Sequence, residues 1–121
     1  MRDHSELTLR KQSDFARIYK QGKSKSSRFA VILYRKNGLK ITRTAFVASK
    51  KVGNSVERNR ARRVMRAAYR AIEPDVKKGK DIIFVARNSI NGCKEPEVEK
   101  NLRKTLGACG LLTDSRKNNE G

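Results

Sequence analysis

Between Asn54 and Pro74 the chain carries a pattern that only a helix with two opposed faces can satisfy. Ala61, Val64, Met65, Ala68 and Ile72 recur at i, i+3, i+4, i+7 and i+11, the spacing that lines one side of a helix with apolar groups. Asn54 stands in the capping position with Glu57 three residues on, so the start is marked by a capping box, and Pro74 marks the stop. Opposite the apolar stripe lie Asn59, Arg62, Arg63, Arg66 and Arg70, with Arg58 and Arg60 flanking. Lys50 and Lys51 lead into this face, on which six arginines meet one acid, Glu57. Arginines one turn apart repel, so the isolated helix gains nothing from the arrangement. A guanidinium offers bidentate contacts to phosphate and stacks on bases, which a lysine cannot do. The helix is therefore expected to bury one side and to present the other to a polyanion. Contact with about 5–8 phosphates would give a logarithmic salt slope of about −4 to −7.

The whole chain repeats that bias. Its 30 Lys and Arg against 12 Asp and Glu give a formal charge of +18, far more than solubility requires, and self-repulsion on this scale favours a polyanionic partner. Secondary structure completed by added anions is one expectation. No apolar run has the length of a membrane span, and the N-terminal stretch lacks the apolar segment of a signal peptide. Cys93 and Cys109 have no metal-ligand spacing and read as reduced thiols of a cytoplasmic protein.

The remaining elements follow from punctuation and periodicity. Leu7 and Leu9 alternate in an extended lead-in, and Ser13-Asp14 signals a cap for a short helix over 14–21, ended by Gly22. Strands are expected over 29–35 and 42–49, separated by the turn signal Lys36-Asn37-Gly38, and over 81–86, with a further short strand near Ser24–Ser27. Pro96, Glu97 and Glu99 favour a last helix with Val98, Leu102 and Leu106 on its apolar edge. The expected fold is a single α+β domain over 1–121, a two-layer α-β sandwich with all three helices on one side of a small sheet. Residues 1–6 and 113–121 are expected to be flexible tails.

Phe15 and Tyr19 on the first helix and Phe29 and Tyr34 on the first long strand are candidate stacking partners for unpaired bases. Independent catalysis has no support. The one histidine, His4, stands in the expected tail, the acids are scattered, and no glycine-rich phosphate loop is present. A DNA-reading helix pair fails because strands flank the basic helix on both sides. A ribosomal or chaperone-like RNA-binding protein would share the charge.

The run from Lys50 to Arg66, KKVGNSVERNRARRVMR, resembles the signature of the bacterial ribonuclease P protein family: a lysine–glycine approach to an Arg-Asn-Arg centre, then basic residues at helical spacing. Ser13-Asp14-Phe15 with Tyr19 and Gly22, and Asp81–Arg87, extend the resemblance over most of residues 7–107. It implies a mostly antiparallel sheet, with the basic helix in a left-handed βαβ crossover against the usual preference. It also implies the protein component of an endoribonuclease that matures tRNA 5′ ends. Catalysis would lie in the RNA subunit and its magnesium ions; the protein would bind no cofactor, small molecule or membrane. Its partners would be ribonuclease P RNA and precursor tRNA. By matching position Lys51, Arg58, Asn59, Arg60, Arg63 and Arg66 would face RNA, and the helix face adds Lys50, Arg62 and Arg70. A cleft between the first helix and the sheet would take the 5′ leader, lined by Phe15, Tyr19, Lys51 and one aromatic of the strand, Phe29 or Tyr34, with Tyr34 favoured.

Overall fold

The computed structural model describes residues 8–9 and 11–113. Its elements run α1 (Gln12–Gln21), β1 (Lys23–Ser26), β2 (Ala30–Lys36), β3 (Arg43–Val47), α2 (Ser55–Ile72), β4 (Lys80–Ala86) and α3 (Glu95–Ala108). The sheet order is β1-β2-β4-β3, with β3 parallel to β4 and the other two pairings antiparallel. The turn signal at Lys36-Asn37-Gly38 thus does not join neighbours: β4 inserts between β2 and β3. The connection over 37–42 steps across two strand spacings, about 10 Å, and α2 makes the crossover from β3 to β4.

Side-chain alternation gives each face of the sheet its own core. Ala30, Ile32, Ile82, Phe84 and Ala86 pack with Ala61, Met65, Ala68 and Ile72 of α2 and with Val98, Leu102 and Leu106 of α3. Ala45 and Ile83 point the other way and join Leu9 and Ile18, with Phe15, Leu33, Val47 and Val85 against them. α1 therefore lies on the face opposite α2 and α3, which corrects the expectation that all three helices cover one side. The reason is the sheet's composition: β2, β3 and β4 carry apolar residues at both odd and even positions, so neither face can be left to water.

Local chemistry sets the helix starts. The Asn54 side chain accepts from Glu57 N–H at 2.9 Å while Glu57 Oε1 accepts from Asn54 N–H at 2.9 Å, closing the capping box. α1 begins before the Ser-Asp pair, at Gln12, with no side-chain cap. Asp14 is instead buried and engages Arg17 and Arg43. Gly22 ends α1 where a Cβ would stand 2.6 Å from the Ile18 carbonyl oxygen and 2.9 Å from that of Tyr34, so only glycine permits the helix to leave so close to β2.

At the N-terminal side, Leu9 N–H donates to the Thr44 carbonyl at 2.9 Å beside the β3 edge; Leu7 lies outside the described residues. So do the expected tails except Thr113, whose N–H donates to the Asp75 carbonyl at 2.8 Å.

Candidate nucleic-acid interface

α2 rests its apolar stripe on β3 and β4 and turns its arginines away from the sheet. Asn59, Arg63, Arg66 and Arg70 are exposed, as are Lys50 and Lys51 in the turn that precedes the helix. The two flanking arginines behave differently. Arg58 is half-buried and donates to the Gly53 carbonyl at 3.0 Å; Arg60 is half-buried and donates to the Cys93 carbonyl. Their position on the helix wheel explains this, since a flank reaches the rims of the core rather than open solvent. Both residues therefore brace the loops beside the helix, and the Arg60 guanidinium is turned inward, with its Nη1 buried. Arg62 is half-buried and donates to the Asn59 side chain, which orients that amide within the basic row.

The capping box fixes the approach to this face. Gly53 has φ +147, in the region that favours glycine, and a Cβ there would meet Glu57 Oε1 at 2.0 Å. The lysine–glycine approach to the basic helix is thus a steric requirement of the cap.

A groove of about 360 Å³ wraps the edge of β3. Phe15 of α1 stands on one side, Thr44, Ala45, Phe46 and Val47 form the edge, and Arg66, Tyr69 and Arg70 of α2 stand on the other. Arg66 lies 5.5 Å from the centroid of the Phe46 ring, which itself stacks on Phe84 at 5.1 Å. Tyr69 is buried beside both rings; burial, reinforced by the Glu73 charge, pushes its phenol above the ordinary value, so it stays neutral. The groove joins an aromatic ring, an apolar floor and the exposed guanidinium groups of Arg66 and Arg70, with the Glu73 carboxylate also in its lining, a combination suited to a strand with stacking bases and phosphates.

Of the predicted cleft residues, Phe15 lines this groove. Tyr19 is one turn along α1, 52% exposed and outside the groove. Lys51 is exposed before α2 and also outside the groove lining. Tyr34 requires correction: it points to the α2–α3 face and packs against that core, where Cys109 lies, whereas α1 is on the opposite face. Phe29 is 2% exposed in the same core. Neither aromatic faces α1; the β2 residues that do include Leu33, packed in the α1-side core, and Arg35, which donates to the Gln21 side chain of α1 at 3.1 Å. The start of β2 at Ala30 puts odd-numbered strand residues on the α1 side.

Phe46 and Tyr69 were missed as groove residues, although Tyr69, four residues after Met65, continues the apolar stripe of α2. Among the described residues, no group of three or more His, Cys, Asp or Glu side chains could hold a metal ion, and no helix is long and apolar enough to cross a membrane.

A family model described as Ribonuclease P matches residues 4–110. The ribonuclease P protein component of Caldanaerobacter subterraneus subsp. tengcongensis is 39% identical over 102 residues, covering 80% of this chain and 87% of that protein. The solved ribonuclease P protein of Staphylococcus aureus superposes with a TM-score of 0.79 at 29% identity, covering 88% of this chain and 98% of that one. That of Thermotoga maritima superposes with a TM-score of 0.76 at 30% identity, covering 84% and 96%.

Proposed function

The chain belongs to the bacterial ribonuclease P protein family, the protein component of a tRNA-processing enzyme, and from that premise we propose that it binds the catalytic RNA through α2 and the 5′ leader of precursor tRNA through the β3-edge groove. The single observation that carries the reading is the groove itself: Phe15 from α1 and Arg66 and Arg70 from α2 line one 360 Å³ cavity. A single RNA strand entering it meets a ring for a base and cations for the phosphates on either side. The exposed row Lys50, Lys51, Asn59, Arg63, Arg66 and Arg70, supported by Arg58, Arg60 and Arg62, is the face offered to the RNA subunit. Phosphate contacts of this kind position a partner and read little sequence, which suits recognition of varied leaders.

In this reading the protein contributes no reacting group. Bond cleavage would belong to the RNA subunit, with bound magnesium ions supplying the Lewis-acid chemistry there. The protein's share is electrostatic: it offsets repulsion between the catalytic RNA and its polyanionic substrate, so less magnesium is needed. Its place of action would be the cytoplasm, with precursor tRNA.

The test is a reconstitution with a bacterial ribonuclease P RNA at low magnesium and near-physiological salt, following cleavage of a precursor tRNA with a 5′ leader. Stimulation by the chain, lost in the Arg63→Ala/Arg66→Ala variant, is the expected result. Tight, salt-dependent RNA binding without stimulation would favour a ribosomal or chaperone-like role instead.

A further inference from the structure

A second cationic cluster runs across β1, β2 and the start of β4, on the face of the sheet opposite α1. Lys23 pairs with Tyr34 and Lys25 with Ile32 across β1 and β2, and Lys36 pairs directly with Lys80 across β2 and β4. Alternation then places the side chains of Lys23, Lys25, Lys36 and Lys80 on one face, around the Tyr34 ring. Among the described residues, no carboxylate lies within ion-pair distance of any of them: the five ion pairs all use arginine. Asp81, next to Lys80 in sequence, turns to the opposite face and is bound by Arg43. Burial, then the charges of Lys36, Lys77 and Lys23, pushes the Lys80 ammonium below its ordinary pKa.

Like charges directly opposite each other on a sheet are destabilising. Lysines on the exposed edge strand β1 guard against edge-to-edge aggregation, but that duty does not extend to Lys36 and Lys80, which face each other across β2 and β4 at the end of the sheet. An uncompensated cluster around an aromatic ring fits a phosphodiester strand, whose binding would relieve the repulsion.

We propose that Lys23, Lys25, Lys36 and Lys80 form a second phosphate-binding face, and that its occupant is the RNA subunit of the enzyme. This inference rests on the function proposed above. The leader is a single strand already accommodated at the β3 edge. Lys23 and Lys25 on β1 lie three strand spacings from β3, about 14 Å across the sheet, while Lys36 lies two spacings and Lys80 one spacing from it. A large folded RNA can reach both edges, and the protein then bridges two of its segments.

The experiment compares RNA-subunit binding of the unaltered chain, a Lys23→Gln/Lys25→Gln/Lys36→Gln variant and an Arg63→Gln/Arg66→Gln variant over a series of salt concentrations. Loss of three phosphate contacts should make the logarithmic salt slope shallower by about 2–3 for the lysine variant. The effect on cleavage should be the same for precursors with long and minimal leaders. An unchanged slope in the lysine variant, with a shallower one in the arginine variant, overturns the second face and leaves the proposed function standing. If neither variant moves the slope, the proposed function fails with it. A lysine effect confined to leader-bearing substrate would overturn the choice of occupant. Lysine acetylation of the unaltered chain, read by mass spectrometry, needs no variant to fold. Lys23, Lys25 and Lys36 should lose reactivity when the RNA subunit is added, and undiminished reactivity would overturn the proposal.

Discussion

The Arg66 guanidinium lies 5.5 Å from the centroid of the Phe46 ring, and Phe46 in turn stacks on Phe84 at the centre of the α2–sheet core. The arginine is thus held over a surface that packing has already made rigid, so less conformational freedom is lost when it meets a phosphate. Arg66→Lys keeps the charge but not the planar stack. It is expected to weaken RNA-subunit binding about three- to tenfold, in line with the worth of a cation–π contact. Thermal stability should change by no more than about 0.5 kcal/mol, because Arg66 is exposed. Titrations of labelled RNA beside thermal melts would separate the two; a fall in stability as large as the fall in binding would contradict this account.

Gly53→Ala should damage the entrance to α2. The new methyl group would stand 2.0 Å from Glu57 Oε1 and 2.7 Å from its Cδ, at a φ of +147 that other residues rarely adopt. Loss of the capping box and the backbone strain together should cost about 2–3 kcal/mol, read as a lower thermal midpoint by circular dichroism. Adding Glu57→Ala removes the clash but not the strain, so the double variant should recover part of that loss. A double variant no more stable than Gly53→Ala would show that the carboxylate is not the obstacle.

Arg43 joins three elements. Its Nε and Nη2 donate to Asp81 Oδ1 at 2.9 Å and Oδ2 at 2.8 Å, and its Nη1 lies 3.6 Å from Asp14 of α1. Both carboxylates are buried. Arg43→Met would leave Asp81 with only the neutral Asn37 amide and Asp14 with only Arg17, and should destabilise the fold by about 2–4 kcal/mol. Arg43→Met/Asp81→Leu should cost less than the sum of the two single variants. Asn37 Nδ2, which donates to Asp81, keeps its second acceptor, the Ile41 carbonyl. Urea unfolding of the four proteins of this cycle gives the coupling energy, and simple additivity would mean that the pair does not act as one unit.

Much of α2 was legible because one segment carries its own evidence: a cap, an apolar period of 3.6, a proline stop and an uninterrupted charged face. The strands were equally plain, since β-branched and aromatic runs between turn residues leave little choice. What pattern could not supply was which face of the sheet each helix would cover. An apolar stripe on α1 fits either side, and β2, β3 and β4 are apolar on both, so the side is decided by tertiary contacts such as Arg43 with Asp14. The misassignment of Tyr34 followed directly. Alternation along β2 puts Leu33 and Tyr34 on opposite faces, but without the placement of α1 nothing in the sequence says which set the groove sees. Arg58 and Arg60 show the same limit on a smaller scale: the wheel placed them on the flanks, while their carbonyl partners at Gly53 and Cys93 come from loops that periodicity does not describe.

Phe15 offers the sharpest separation of the two proposed RNA contacts. It lines the β3-edge groove and packs against the small core of Leu9, Ile18, Ala45 and Ile83, so its removal affects both stacking and folding. Phe15→Leu retains most of the buried volume and loses the aromatic face. Affinity of the holoenzyme for leader-bearing precursor tRNA should fall by about five- to fiftyfold, within the range for one base–aromatic stack. Affinity for mature tRNA, and the protein's affinity for the RNA subunit, should be unchanged. Tyr34→Phe, altered on the far side of the sheet, should leave the leader contribution intact while removing the hydroxyl near Cys109. Equal losses on precursor and mature tRNA for Phe15→Leu would mean that the ring supports the fold and not the leader. A leader-specific loss for Tyr34→Phe would move the cleft to the other face.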